Sequence, residues 1–187
     1  MTPTADTPRS TIRHVRPADI PAIRAMQERS MWVLGGAFYS DDEIAGFLTQ
    51  YGTMDDAIVA EGHFFLAENQ AGRILGSGGW TRRRPSYVGE LGESHETEAV
   101  PTVRSVFVDP AAERRGIASS IMVQVERDAV EHDVPELSLM ATLSGVALYE
   151  RRGYLALASE RLALSNGSSF ACVRMMKRLE VAGRLAA

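Results

Sequence analysis

The sequence predicts a single α/β domain, and three observations carry that reading. Val103 to Ile121 runs from a short, β-branched apolar segment through an arginine- and glycine-rich turn into a stretch of helical periodicity. Two further β-rich runs, Tyr154 to Leu164 and Ser168 to Met176, are joined at Asn166-Gly167, a strong hairpin signal. The chain of 187 residues shows no internal repeat, linker or low-complexity block, which suits one well-packed core and not two. The domain is expected over residues 11–180, after a polar, Thr/Pro-rich and disordered tail from Met1 to Ser10.

Taken in order, Thr11 to Val15 reads as a first strand. Arg16-Pro17-Ala18-Asp19 opens a helix with Ile20, Ile23 and Met26 or Gln27 on one face and an end near Ser30. Met31 to Tyr39 is expected to be an aromatic, glycine-containing loop. Ser40-Asp41-Asp42-Glu43 has the spacing of a capping box and starts a second helix through about Gln50. Thr53 to Glu61 holds one or two more helical turns. His63 to Glu68 and Arg73 to Trp80 pair as a hairpin about Asn69 to Gly72. No helix follows Gly76, Gly78 and Gly79, so they mark a bulge or a close backbone approach, not a phosphate cradle. Arg82 to Pro101 lacks periodicity and reads as a long excursion, functional or mobile.

The central strand is apolar at Val103, Val106, Phe107 and Val108, and Asp109-Pro110 ends it. Ile117, Ile121, Val125 and Ala129 then recur at helical spacing, with Ala118 and Met122 beside them. Ser119, Ser120, Gln124, Arg127, Asp128 and Glu131 fall mostly on the opposite side. After His132, Pro135 breaks the chain and Glu136 to Ala141 is a strand. Thr142-Leu143-Ser144-Gly145 is a turn, and Val146 to Arg152 is a short helix stopped at Gly153. Gly116 therefore sits where a strand-to-helix turn presents unpaired N–H groups at a positive helix end, between Arg114-Arg115 and the helix. Such a turn suits a phosphate or pyrophosphate, although the same turn also occurs without a ligand.

Composition narrows the function. A net charge of -4 argues against a general nucleic-acid binder and requires a local positive patch for any polyanionic cofactor. Arginines cluster at Arg82 to Arg84, Arg114-Arg115 and Arg151-Arg152, while Lys177 is the one lysine. Cys172, the single cysteine, lies in the apolar run Phe170 to Val173 and reads as structural. His14, His63, His95 and His132 show no metal-ligand spacing, so no metal is expected. The absence of a bilayer-length apolar run or a signal-peptide core makes the expected location cytoplasmic, with no membrane partner.

Arg115-Gly116-Ile117-Ala118 after an apolar strand resembles the acetyl-CoA pyrophosphate loop of the GNAT superfamily of N-acyltransferases, Q/R-x-x-G-x-G/A. The glycine and the final small residue match; Glu113 stands where Gln or Arg is usual. Ala147 to Tyr154 resembles a second motif of that family, [L/F]-Y-x-x-x-G-[F/Y], in the same order along the chain. Thr142 stands where Asn is common and Gly145 where Ala is usual, which leaves Ser144 as a candidate contact to pantetheine.

The resemblance implies a mixed, mostly antiparallel sheet flanked by helices, with a splayed parallel pair formed by the strands at Val103 and Glu136. It also implies acetyl-CoA as co-substrate, its pantetheine meeting the backbone of Val106, Phe107 and Val108. The N–H groups of Arg114, Arg115, Gly116, Ile117, Ala118 and Ser119 would hold the pyrophosphate. Tyr149 stands where the family places an acid for the departing thiolate. The acceptor pocket would lie between the early helices and the last hairpin, drawing on Trp32, Phe38, Tyr39 and Trp80 and on residues near Asn166 to Ser169.

The implied reaction is attack of a small-molecule or peptide amine on the acetyl thioester. Val103, Arg104 and Ser105 offer no carboxylate base, and His95, Glu96 and Glu98 read as a solvated loop; a water chain serves equally. The competing class is an acyl-CoA-binding module without turnover. An unrelated nucleotide binder is disfavoured, since neither a Walker pattern nor G-x-G-x-x-G is present. Members of this family often dimerise, so a homodimer stays open.

Overall fold

The computed structural model describes residues 10–84 and 100–181. The expected N-terminal tail, the middle of the Arg82 to Pro101 excursion with His95, Glu96 and Glu98, and the last residues lie outside this range.

Seven strands form one sheet in the order β1-β2-β3-β4-β5-β7-β6. They are β1 (Thr11–His14), β2 (Phe64–Glu68), β3 (Ile74–Thr81), β4 (Thr102–Val108), β5 (Glu136–Thr142), β6 (Leu155–Ala163) and β7 (Ser169–Arg178). Every neighbouring pair is antiparallel except β4 and β5, which are parallel and meet at one register pair, Thr102 with Ser138. The mixed sheet with a splayed parallel pair is thus the observed architecture. The helices are α1 (Ile20–Gly35), α2 (Asp41–Tyr51), α3 (Ala57–Ala60), α4 (Ile117–Glu131) and α5 (Val146–Arg151). None of them is long and apolar enough to cross a membrane.

Alternation along β2 shows how both sheet faces are covered. Phe65 and Ala67 join the cluster built on Ile121, Met122 and Val125 of α4, whereas Phe64 and Leu66 join Ile23 of α1 and Ile58 of α3. A third cluster, with Tyr39, Ile44, Leu162 and Phe170, packs α2 against the β6–β7 hairpin. Ser40 starts α2 with the expected capping box, its hydroxyl accepting from the Glu43 N–H. Cys172 belongs to this cluster. Burial, with Glu160 nearby, pushes its thiol up to about 12, which suits a structural cysteine.

Two expectations need correction. α1 does not end near Ser30 but continues to Gly35, so most of the expected Met31 to Tyr39 loop is helix. Its buried face runs through Ile23, Met26, Gln27, Ser30, Met31 and Gly35; the polar Gln27 and Ser30 interrupt the apolar pattern without interrupting the burial. Gln27 is accommodated because its Nε2 donates to Ser77 Oγ at 2.9 Å. On α4, Asp128, expected opposite the apolar face, is buried, and Glu126 is buried as well. Glu126 accepts from Arg152 at 3.0 and 2.7 Å and from Lys177 at 2.8 Å, a three-way pairing that ties α4 to the end of α5 and to β7.

The glycines of β3 mark a close approach. At Gly76 a β carbon would stand 2.9 Å from both Ile117 Cγ2 and Ile121 Cδ1, so α4 packs directly on bare backbone. A register shift lies here too, because Ser77 to Gly79 spans two steps opposite three from Phe107 to Arg104. The extra residue is on β4, where Ser105 adopts φ 54.

Asp109 ends β4, and its buried carboxylate accepts from the Ala111 N–H, Arg29 and Arg73. Burial pushes this carboxyl up, but the N–H and the two guanidiniums outweigh it and hold it below the usual range. The stabilisation is complete above the unfolded value and is lost as pH falls through the lower folded one. Asp109→Asn is expected to cost about 2 kcal/mol near pH 7 and less near pH 3. Urea unfolding at the two pH values checks this, and a gap that stays constant contradicts it.

Candidate active site

The gap between β4 and β5 follows from what each strand pairs with on its other side. β5 is zipped to β7 from Glu136–Arg178 to Thr142–Cys172, and β4 follows β3. The bulge at Ser105 adds local twist, and three hydrogen bonds hold it. Gln27 donates to Ser77 Oγ, Ser77 Oγ donates to the Ser105 carbonyl at 3.2 Å, and Ser105 Oγ donates to the Thr53 carbonyl at 2.7 Å. Beyond Thr102 the β5-facing edge of β4 is therefore open.

A cleft of about 570 Å³ opens on one side of this gap. Val106, Phe107 and Val108 of β4 line it, with Arg114, Gly116, Ile117, Ala118 and Ser119 of the loop and first helical turn. Ser144, Tyr149 and Arg151 close it from the α5 side. No side chain caps α4, so its first-turn N–H groups are left for a ligand. Arg114 has φ 60 and Gly116 φ 77, left-handed backbone of the kind that folds successive N–H groups into an anion-binding concavity. An open strand edge leading to an uncapped helix N-terminus fits the amides and pyrophosphate of an acyl-CoA.

Beside the gap there is also a smaller recess of about 100 Å³, lined by Phe47, Tyr51, Thr53, Arg104, Ser105 and Met140 among others. Val106, Phe107 and Tyr149 line both cavities, so the tyrosine stands where the two meet. Its side chain is well buried at 8% exposure, and its ring meets Tyr154 edge-on at 5.7 Å. Sequence reasoning missed this recess. Phe47 and Tyr51 carry no motif that singles them out, and neither the bulge nor the placement of Thr53 has a local signature.

Several expected site residues sit elsewhere. Trp80 is 1% exposed in the core under α4, where its Nε1–H donates to Asp128 at 2.7 Å; it lines neither cavity. Tyr39 is also buried. Its hydroxyl donates to the Ala171 carbonyl at 2.8 Å and accepts from the Leu143 N–H at 2.7 Å, pinning the turn that leads into α5. Burial raises the pKa of that hydroxyl above its ordinary value. Trp32, 42% exposed on α1, lines neither cavity, and Phe38, 52% exposed, lies on the larger cleft rather than the recess. Asn166 docks the hairpin on α2 by donating to the Asp42 carbonyl.

The basic patch is smaller than expected. Arg115 is exposed outside the cleft lining, Arg152 is taken up by Glu126, and Arg83 pairs with Glu61. Arg82 lies over the Trp80 ring. Arg114 and Arg151 remain on the cleft. Metal-ligating side chains gather away from both cavities, at His63, Asp128 and His132, three residues in which the sequence shows no ligand spacing.

The sequence model of the family described as "Acetyltransferase (GNAT) domain" matches residues 37–179. A comparison with curated proteins gives no match. Among solved structures, a GCN5-related N-acetyltransferase from Rhodopseudomonas palustris superposes with a TM-score of 0.70 at 18% identity, over 96% of this chain and 100% of that one. The ribosomal-protein-S18-alanine N-acetyltransferase of Escherichia coli gives 0.58 at 18% identity, over 96% and 99%. The PaiA N-acetyltransferase of Thermoplasma acidophilum, in complex with coenzyme A, gives 0.62 at 12% identity, over 91% and 99%. At these identities the structural likeness shows the fold.

Proposed function

The chain belongs to the GNAT acetyltransferase family, and from that premise we propose that it is an acetyl-CoA-dependent N-acetyltransferase acting directly on a primary amine of a small molecule or peptide. The observation that carries this reading is the position of Tyr149 on the lining of both cavities, together with Val106 and Phe107 of the splayed strand.

When bound, acetyl-CoA supplies a thioester that an amine attacks and a thiolate that leaves. The backbone of Val106 to Val108 extends the sheet toward pantetheine. The N–H groups of Gly116 to Ser119 and the charge of Arg114 and Arg151 hold the pyrophosphate. Tyr149 donates its hydroxyl proton to the leaving sulfur. The smaller recess orients the amine beside Ser105 and Tyr51. None of its described lining side chains is a carboxylate or an imidazole, so the amine's proton passes to water.

The test joins binding to turnover. Acetyl-CoA and CoA are expected to raise the melting temperature where ATP and NAD do not, by about 2.7 kcal/mol of stabilisation at 100-fold over the dissociation constant. A panel of amines is then assayed for thiol release from acetyl-CoA. Stronger protection by ATP than by CoA overturns the cofactor assignment. Binding without release on any amine makes the protein an acyl-CoA-binding module.

A further inference from the structure

His63, Asp128 and His132 converge at the end of α4 farthest from the cofactor loop, roughly 20 Å along the helix from Gly116. His63 comes from the turn before β2, while Asp128 and His132 are one helical turn apart. The sequence hides the group because His63 lies 65 positions from Asp128.

The geometry is that of an oriented ligand set. One Oδ of Asp128 accepts from Trp80 Nε1 at 2.7 Å and stands 2.8 Å from His63 Nδ1. The other Oδ is 3.8 Å from His132 Nδ1. His63 is held flat against Trp80 with ring centroids 4.1 Å apart, and it meets His132 edge-on at 4.4 Å. One ligand atom from each of the three residues lies within 4.8 Å of the others. Ligands about 2.0–2.2 Å from a tetrahedral ion stand roughly 3.4 Å apart, so the widest pair must close by up to about 1.4 Å. The His132 side chain is 49% exposed and has room to make it. Its Nδ1 now pairs with the Asp128 carbonyl at 2.8 Å.

Charge points the same way. The Asp128 side chain is 7% exposed, and its ion-pair partners among the described residues are these two imidazoles, not an arginine or lysine. A carboxylate so placed needs a cation. Two imidazoles and one carboxylate with a side open to solvent suit a borderline divalent ion, not the all-oxygen sets of Mg²⁺ and Ca²⁺. The Trp80 N–H orients the ligating carboxylate as an outer-shell partner does. We propose that His63, Asp128 and His132 bind one Zn²⁺ per chain, fastening the C-terminal end of α4 to the turn that leads into β2. The site is separate from the cleft and does not depend on the acetyl-transfer reading.

The full chain, stripped with a chelator, is titrated with Zn²⁺ by calorimetry in phosphate-free buffer, with Co²⁺ as a spectroscopic probe. One equivalent is expected to bind, with a visible Co²⁺ absorption band and a raised melting temperature. His63→Ala and His132→Ala each lower the affinity at least tenfold, whereas His14→Ala, outside the cluster, leaves it unchanged. Since His132 is on the rim, its variant keeps the metal-free melting temperature and decides the matter even if His63→Ala unfolds. Absence of saturable binding overturns the proposal, as does Zn²⁺ affinity unaltered by His132→Ala.

Discussion

Replacing Tyr149 by phenylalanine is expected to lower kcat for acetyl transfer about 100-fold or more, the usual range for loss of a general acid. The thermal shift produced by CoA should remain, because the backbone and loop groups assigned to the cofactor are untouched. The ring also keeps its edge-on contact with Tyr154, so the variant should fold. A structural role would give the opposite pattern, a lower melting temperature with turnover little changed. The leaving group separates these further. With an acetyl thioester of a more acidic thiol, the deficit of the variant should shrink, since a better leaving group needs less help from an acid. Undiminished kcat with acetyl-CoA would remove the acid from Tyr149 and leave its ring as packing between the two cavities.

Gly79→Ala is expected to cost about 3 kcal/mol, near the upper end for overpacking. Its β carbon would fall against the His63 carbonyl oxygen and 2.8 Å from Phe64 Cα. These are backbone atoms of the neighbouring segment, where Phe64 pairs in register with Gly79 itself, so no rotamer change relieves the clash. β2 would have to move, and Phe64, at the heart of the cluster shared with Ile23 and Ile58, would move with it. Urea unfolding measures the loss. A change below about 1 kcal/mol would mean that β2 and β3 spread easily, contrary to a close-packed sheet. At Gly78 the nearest atoms belong largely to the Ile121 and Val106 side chains, and the same substitution there should be milder.

Elements written in short-range patterns were legible in the chain: the hairpins, the capping box of α2, the strand–turn–helix around Gly116 and the helix carrying Tyr149. In each, the residues that specify the structure lie within a few positions of one another, so spacing and turn chemistry suffice. Where partners are distant, spacing fell short. The sequence leaves Met26 and Gln27 as alternatives on the inner face of α1; both are buried, and Ser77, 50 positions away, supplies the hydrogen bond of Gln27. Asp128 falls opposite the apolar face in the sequence, yet Trp80 and His63 take its carboxylate inside, and Trp80, so held, lines neither cavity. The smaller recess is assembled from α2, the loop at Thr53, a bulged β4 and β5, none of which announces the others. Local order is set by neighbours along the chain. Which polar groups are buried, and what stands across a gap, depends on contacts between distant segments that form when the sheet does.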